Sequence, residues 1–211
     1  MGQPLTTVYL LRHGEVHNPD HVLYERLPGF GLSANGQAMA TRVAEHFAAL
    51  TGPAITQLYA SPLQRAGETA APLAQALDLP IQVEPEAIEA QSVFAGQVIR
   101  LRTVLKPKYL IKLFNPAKPS WGEPFEAIAQ RMRRVIDKAR LAAEGQAALI
   151  VSHQSPIWRA RLKAEGRPLW LMPRGRACSL ASITSLIYQG DQLVEVAYQE
   201  PAADLLPERL R

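Results

Sequence analysis

Two short runs of uninterrupted apolar residues constrain the fold of this chain more than any other feature. Residues 8–11 read Val-Tyr-Leu-Leu, and residues 147–151 read Ala-Ala-Leu-Ile-Val. A strand that faces water on one side alternates polar and apolar residues, whereas a strand covered on both faces does not. The two runs therefore predict buried strands, and the second is typical of a central parallel strand. Short apolar runs alternate with longer helix-like segments, which indicates the α/β class.

The remaining elements follow from the spacing of apolar residues and from capping and turn residues. A helix is expected from an N-cap at Ser33 to Leu50, and another from about Gln64 to Leu77, which Pro72 should bend or interrupt. We expect a mainly parallel central sheet flanked by helices on both faces, with a C-terminal antiparallel hairpin. The other expected elements are strands over 55–60 and 81–83, a helix from near Pro124, and hairpin strands over 180–188 and 193–198.

Length, charge and cysteine content limit the kind of protein. The 211 residues predict one domain over 1–211, in which the segment from about 92 to 124 fits the alternation poorly and suggests a lid or an insertion. The net charge of +4 is too small to name a partner. Cys178 is a single cysteine and cannot form an internal disulfide, which favours a reducing compartment. We find no signal-peptide pattern and no apolar stretch of ~20 residues, so we expect a cytoplasmic protein without membrane contact.

Polar side chains with the chemistry to bind an anion follow three of the expected strands. Residues 10–15 read LLRHGE, residues 59–65 read YASPLQR, and residues 150–156 read IVSHQSP. Ligands of open α/β sheets bind beyond the carboxyl ends of the strands, so these three junctions should converge. In the third, Ser155 is expected as the N-cap of a helix and Pro156 as its first residue. Two arginines and two histidines at one edge suit a phosphate dianion.

These motifs resemble the histidine phosphatase (phosphoglycerate mutase-like) superfamily, in the order in which that family carries them. The resemblance implies a mainly parallel sheet with the site at the strand ends, and a His13 that accepts the phosphoryl group as phosphohistidine. It also implies that Arg12, Arg65 and His153 bind the phosphate, and Asn18 and Gln154 are candidates for substrate contact. The matching residues are Leu10 to Glu15, Asn18, Leu32-Ser33, Gly36, Ser61 to Ala66, Thr69-Ala70 and Val151 to His153.

The family also uses a proton donor for the leaving group, usually a carboxylate that follows the next strand. Glu84, Glu86 and Glu89 are candidates, and Glu89 fits best because residues 88–96 resemble the family's acid segment. Glu84 and Glu86 flank Pro85 in what we expect to be an exposed turn. Two departures from the family pattern weaken any transfer of substrate preference from known relatives to this chain. Ala95 stands where many members have Glu, and Gln154 stands where many have Gly.

We therefore expect a phosphomonoester hydrolase that acts on a small phosphorylated metabolite, without a metal or other cofactor. The alternatives are a phosphoglycerate mutase and a catalytically weak module that binds or senses a phosphorylated ligand. His13, His17 and His21 have a spacing that a helical metal site could use, but Gly14 and Pro19 should break that helix. The substrate and the oligomeric state stay open.

A basic helix face raises the separate question of nucleic acid. We expect Arg131, Arg133, Arg134, Lys138 and Arg140 to share the polar side of the helix from Pro124, and to be a solvated face with no nucleic-acid partner.

Overall fold

The computed structural model describes residues 3–98, 122–174 and 176–208. These residues form a six-stranded sheet in the order β3-β2-β4-β1-β5-β6. The strands are β1 (Leu5–Arg12), β2 (Ile55–Ala60), β3 (Ile81–Val83), β4 (Ala147–Ser152), β5 (Ile183–Gln189) and β6 (Gln192–Gln199). The helices are α1 (Ala34–Ala48), α2 (Gln64–Leu77), α3 (Phe125–Ala142) and α4 (Gln154–Ala164), with single 3₁₀ turns at Pro85–Ala87 and Ala203–Leu205.

The sheet has the mixed topology expected from the sequence. Strands β3, β2, β4 and β1 are parallel, whereas β5 runs antiparallel to β1 and to β6. Every residue of β4 is buried, as the apolar run predicts for a strand between two parallel neighbours. The α/β class and the C-terminal hairpin are confirmed, although β5 begins at Ile183 rather than at Leu180.

Helices cover both faces of the sheet, and each face has its own hydrophobic core. Alternate residues of one strand enter opposite cores: Leu10 packs with residues of α3 and α4, and Leu11 packs with residues of α1 and α2. Ile150 and Val151 of β4 divide in the same way. This layering leaves the carboxyl edge of the parallel strands as the place where loops from both faces can meet.

The structure revises local expectations at Pro72, Ser155 and Pro156. Helix α2 continues through Pro72, so the proline does not interrupt the helix, and the expected bend stays a prediction. Helix α4 begins at Gln154 after an N-cap at His153, so Ser155 is not the cap and Pro156 is the third helical residue. Proline is tolerated there because the first four N–H groups of a helix have no partner within the helix.

The region expected to be a lid or insertion, about 92 to 124, is described only at its ends. Ser92 and Gly122 pair in an isolated antiparallel bridge, and the N–H of Glu123 donates to the carbonyl of Gln91 at 2.9 Å. Residues 99–121 lie outside the described residues, so the lid stays a prediction. Among the described helices, none combines the length and the apolar character needed to cross a membrane.

Candidate active site

The carboxyl ends of β1, β2 and β4 are held side by side by backbone hydrogen bonds. The N–H of His13 donates to Ser152 O at 3.1 Å, and the N–H of Ser61 donates to Val151 O at 2.9 Å. The rings of His13 and His153 consequently lie next to each other, with 5.1 Å between their centroids. Two histidines 140 positions apart in the chain thus share one corner of the molecule.

His13 is buried and is oriented by its neighbour in the chain. Its Nδ1 lies 2.8 Å from the carbonyl oxygen of Gly14. A carbonyl only accepts, so Nδ1 carries the proton in the neutral ring and Nε2 holds the lone pair. Burial, together with the positive charges of Arg65 and Arg12, holds the pKa of His13 well below its ordinary value of 6.5. The ring is therefore a neutral base at physiological pH.

His153 lies beside His13 at the N-terminus of α4 and is also buried. Its Nε2 is 2.7 Å from the hydroxyl oxygen of Ser61, which follows β2. Burial, followed by the neighbouring His13 and Arg65, keeps the pKa of His153 well below 6.5. Its Nδ1 is buried and has no hydrogen-bond partner among the described residues.

Arg12 and Arg65 bring positive charge to the same corner. The side chain of Arg12 donates to the carbonyl of Cys178 at 2.6 Å. Arg65 is buried, donates to the carbonyl of Glu25 at 2.6 Å, and lies 4.8 Å from the ring centroid of Tyr24. The Nε atoms of both guanidinium groups are buried without a partner in the described part of the chain. Unpaired buried donors are costly, so an anionic oxygen ligand would stabilise this corner.

Glu89 is the candidate acid that reaches this corner. Its Oε1 accepts the N–H of Ala90 at 2.8 Å, and its side chain lines the same cavity as Arg12 and His13. Burial raises the pKa of Glu89 above its ordinary 4.5, although that hydrogen bond and the nearby Arg12 oppose the shift. A raised pKa favours the protonated carboxyl group that a proton donor needs.

The two alternative acids have other partners. Glu84 is not in an exposed turn as expected: it is buried and pairs with Lys138 at 2.7 Å. Glu86 forms an ion pair with Arg134, and the hydrogen bond from that guanidinium lowers the pKa of Glu86. Both carboxylates therefore bind helix α3 and are absent from the residues described around the cavity.

The cavity beside His13 has a volume of about 470 Å³, which is the size of a small-molecule site. Its described walls come from strand ends, from α3 and α4, and from the loops around residues 24, 91 and 172. They comprise Arg12, His13, Leu23, Tyr24, Glu25, Glu89, Ala90, Gln91, Ser92, Phe94, Glu123, Phe125, Ile128, Gln154, Ser155, Trp158, Arg159, Met172 and Pro173.

The sequence-predicted residues occupy three different positions relative to this cavity. Arg12, His13, Glu89 and Gln154 line it. Arg65 and His153 are not among the described lining residues but are next to His13: Arg65 lowers the pKa of His13, and the ring of His153 lies 5.1 Å from the His13 ring. Asn18 is not among the lining residues: its side-chain amide exchanges hydrogen bonds with the backbone of Val22 at 2.9 and 3.1 Å and closes a turn.

Comparison with known proteins assigns the family. A sequence profile of the histidine phosphatase superfamily (branch 1) matches residues 8–201. The chain belongs to this superfamily. It is 50% identical over 200 residues to an uncharacterized protein, Rv0525, of Mycobacterium tuberculosis, an alignment that covers 94% of this chain and 98% of the relative.

Solved structures of several enzymes share the fold. The mycobacterial glucosyl-3-phosphoglycerate phosphatase Rv2419c aligns with a TM-score of 0.73 at 20% identity, over 93% of this chain and 98% of its own. A phosphoglycerate mutase from Bacillus anthracis aligns with a TM-score of 0.72 at 20% identity, over 97% of this chain and 96% of its own. Phosphatases and a mutase are thus both among the neighbours.

The loop that follows His13 depends on two glycines in close contact. A Cβ at Gly14 would lie 2.6 Å from the carbonyl oxygen of Gly36, and a Cβ at Gly36 would overlap the carbonyl of Glu15. The N–H of Gly14 also donates to the Thr69 hydroxyl at 3.2 Å, and that hydroxyl donates to the carbonyl of Arg65 at 2.7 Å. One chain of hydrogen bonds therefore links the His13 loop to the Arg65 helix.

Sequence reasoning missed two buried arginines around the cavity. Arg131 was expected on a solvated face, but it is buried and pairs with the lining residue Glu123 at 2.8 Å. Arg159 is buried and lines the cavity, with its guanidinium 4.0 Å from the ring centroid of Phe125. Burial lowers the pKa of Arg159 to about 10, so it remains charged at neutral pH. The polar and apolar pattern of α3 does not predict that Arg131 forms a buried ion pair with Glu123.

The residues described around the site do not resemble a metal centre. Within 3–98, 122–174 and 176–208, no three His, Cys, Asp or Glu side chains are grouped as metal ligands. His17 is exposed, and Cys178 is buried with its pKa raised to about 11 by desolvation.

Proposed function

We propose that this protein is a phosphomonoesterase that hydrolyses a small organic phosphate through a phosphohistidine at His13. The observation that carries the proposal is the state of that residue. A buried imidazole, neutral and with its lone pair on Nε2, lines a cavity together with a cation and a protonatable carboxyl group. Nucleophile, charge stabiliser and proton donor are the three parts that phosphoryl transfer to an imidazole requires.

The first half-reaction would use these groups in order. The Nε2 lone pair of His13 attacks phosphorus, and the bond from phosphorus to the leaving oxygen breaks. Glu89 gives its proton to that oxygen, which leaves as the alcohol. Arg12 and Arg65 stabilise charge on the transferring oxygens, and the Gly14 carbonyl stabilises the positive imidazole ring through the Nδ1 proton.

The second half-reaction returns the site to its starting state. The Glu89 carboxylate takes a proton from water as the water oxygen bonds to phosphorus and the bond to Nε2 breaks. Inorganic phosphate leaves, His13 is neutral again and Glu89 is protonated. Protons pass only between Glu89, the leaving oxygen and water, and the arginine cations stabilise charge without changing their own, which supports turnover without a metal ion.

The test is release of phosphate from para-nitrophenyl phosphate in buffer that contains a chelator. We expect His13→Ala to lower turnover by at least about a thousandfold, because covalent catalysis loses its acceptor. His46→Ala is the matched control: His46 lies in the last turn of α1, about 20 Å along the helix from Ser33, and its substitution should not affect turnover. Radiolabelled phosphate trapped on a residue other than His13 would contradict the proposal.

The same preparation separates the alternatives. A mutase would convert 3-phosphoglycerate to its 2-isomer faster than it releases phosphate from it. A binding module would show no turnover with any phosphomonoester while still binding vanadate or phosphate at Arg12 and His13.

A further inference from the structure

The cavity extends from the catalytic corner into a region with mainly apolar walls. Helices α3 and α4 and the loops opposite them contribute Leu23, Phe94, Phe125, Ile128, Trp158 and Pro173. Phe125, Ile128 and Trp158 are also part of the buried interior, so these walls are fixed by packing. A leaving group bound here would exchange water for aromatic and aliphatic carbon.

The charges described around this region oppose an anionic leaving group. Besides Arg12 in the catalytic corner, the one described lining cation is Arg159, and its guanidinium already donates to the carbonyls of Leu169 and Leu171 at 2.5 and 2.6 Å. Two further carboxylates line the walls: Glu25, which accepts hydrogen bonds from Ser92, and Glu123, which is paired with Arg26 and Arg131. A carboxylate on the substrate would therefore find no available cation among the described lining residues of this region, and it would meet like charge at Glu25.

The apolar character continues to the mouth of the cavity. Large apolar side chains that remain solvent-exposed include Leu23 and Met172, which line the cavity, and Val93 and Trp170, which adjoin lining segments. Met172 is 61% exposed and Trp170 is 55% exposed, which is unusual for such large apolar side chains. A leaving group longer than the cavity would cover them.

We infer that the substrate is a phosphomonoester of an apolar alcohol or phenol without a carboxylate, with the hydrocarbon part bound between α3, α4 and the Leu23 loop. This inference rests on the proposed phosphomonoesterase activity, and it names the class of compound that this activity serves.

The first experiment measures kcat/KM for n-alkyl phosphates from ethyl to octyl phosphate. The basicity of the leaving alcohol hardly changes along this series, so chain length acts through binding. We expect kcat/KM to rise about fourfold for each added methylene until the cavity is filled. Phosphoserine should be at least about tenfold poorer than propyl phosphate, because its ammonium and carboxylate groups would lose water against apolar walls. A flat series, or a preference for phosphoserine, would overturn the inference.

The second experiment changes the wall at a position where folding is not at stake. Met172→Asn places an amide at an exposed lining position and should reduce the increase per methylene to about twofold or less. Leu141→Asn is the matched control, because Leu141 is 64% exposed in the last turn of α3 and does not line the cavity. It should preserve the full chain-length dependence. An unchanged dependence in Met172→Asn would refute the assigned wall.

Failure of this inference and failure of the proposed function give different results. If para-nitrophenyl phosphate is hydrolysed but the alkyl series is flat, only the substrate class is wrong. If no phosphomonoester is hydrolysed, the proposed function itself is wrong.

Discussion

Substitution of Glu89 by glutamine tests the proton donor while preserving the shape of the side chain. The raised pKa of Glu89 reflects burial, so the acid form is the state that the cavity favours. Among the described residues, the neighbouring carboxylates have other partners: Glu86 pairs with Arg134, Glu84 with Lys138 and Glu123 with Arg26 and Arg131, and Glu25 accepts hydrogen bonds from Ser92. The variant should therefore lose proton donation without a replacement.

The expected magnitude depends on the leaving group. General acid catalysis contributes about 10²- to 10⁴-fold, or roughly 3–5 kcal/mol of the barrier, when the leaving alkoxide needs a proton. A para-nitrophenolate leaves without one, so its rate should fall by less than about tenfold. We expect Glu89→Gln to reduce kcat/KM for butyl phosphate by at least about a hundredfold more than for the aryl phosphate.

The assay compares phosphate release from both substrates by wild type, Glu89→Gln and Glu86→Gln. The last variant is the control, since Glu86 is three positions away but lies in a solvent-exposed ion pair. Equal losses on the two substrates in Glu89→Gln would refute proton donation and indicate that the carboxyl group positions the substrate. A selective loss in Glu86→Gln would transfer the role to that residue.

Three further results are expected. With increasing pH, kcat/KM for an alkyl phosphate should rise as His13 deprotonates, with an inflection below pH 6.5. It should then fall as Glu89 ionises, with an inflection above pH 4.5, and this fall should be absent in Glu89→Gln. In denaturant titrations, Gly36→Ala should lower the free energy of unfolding by at least about 2 kcal/mol, because the added Cβ overlaps backbone atoms. Gly67→Ala has open space around the added Cβ and should raise the free energy of unfolding by about 1 kcal/mol. Cys178, whose buried thiol has a pKa of about 11, should react with a thiol reagent at pH 8 only after denaturation, and rapid reaction of the native protein would contradict its burial.

The sequence predicts that Arg12, His13 and His153 converge because parallel strands end at a common edge. Arg12, His13 and His153 each follow an apolar run, and the order of β4 and β1 in the sheet brings them together. Ligands of open α/β sheets bind beyond the carboxyl ends of the strands, whatever the loop conformation, so the prediction needed only the strand assignments.

Residues whose role depends on a distant partner could not be predicted in this way. Arg131 belongs to the polar pattern of α3, yet it is buried in an ion pair with Glu123. Asn18 matches a family motif, but in this structure its amide closes a turn with Val22. In both cases the deciding contact is set by the loop geometry, which periodicity does not encode.

The ends of the region between Ser92 and Gly122 have a consequence for how such proteins diverge. They are joined by a backbone bridge, and Glu123 is tied to Gln91 next to it, immediately beyond the proton donor candidate. Chain can therefore be lengthened, shortened or exchanged between these two anchors while the backbone that carries His13 and Glu89 keeps its position. The described hydrogen bonds that orient His13 and Glu89 come from Gly14, Ser152 and Ala90, so a change of chain between the two anchors would leave these bonds in place and alter what stands beside the cavity.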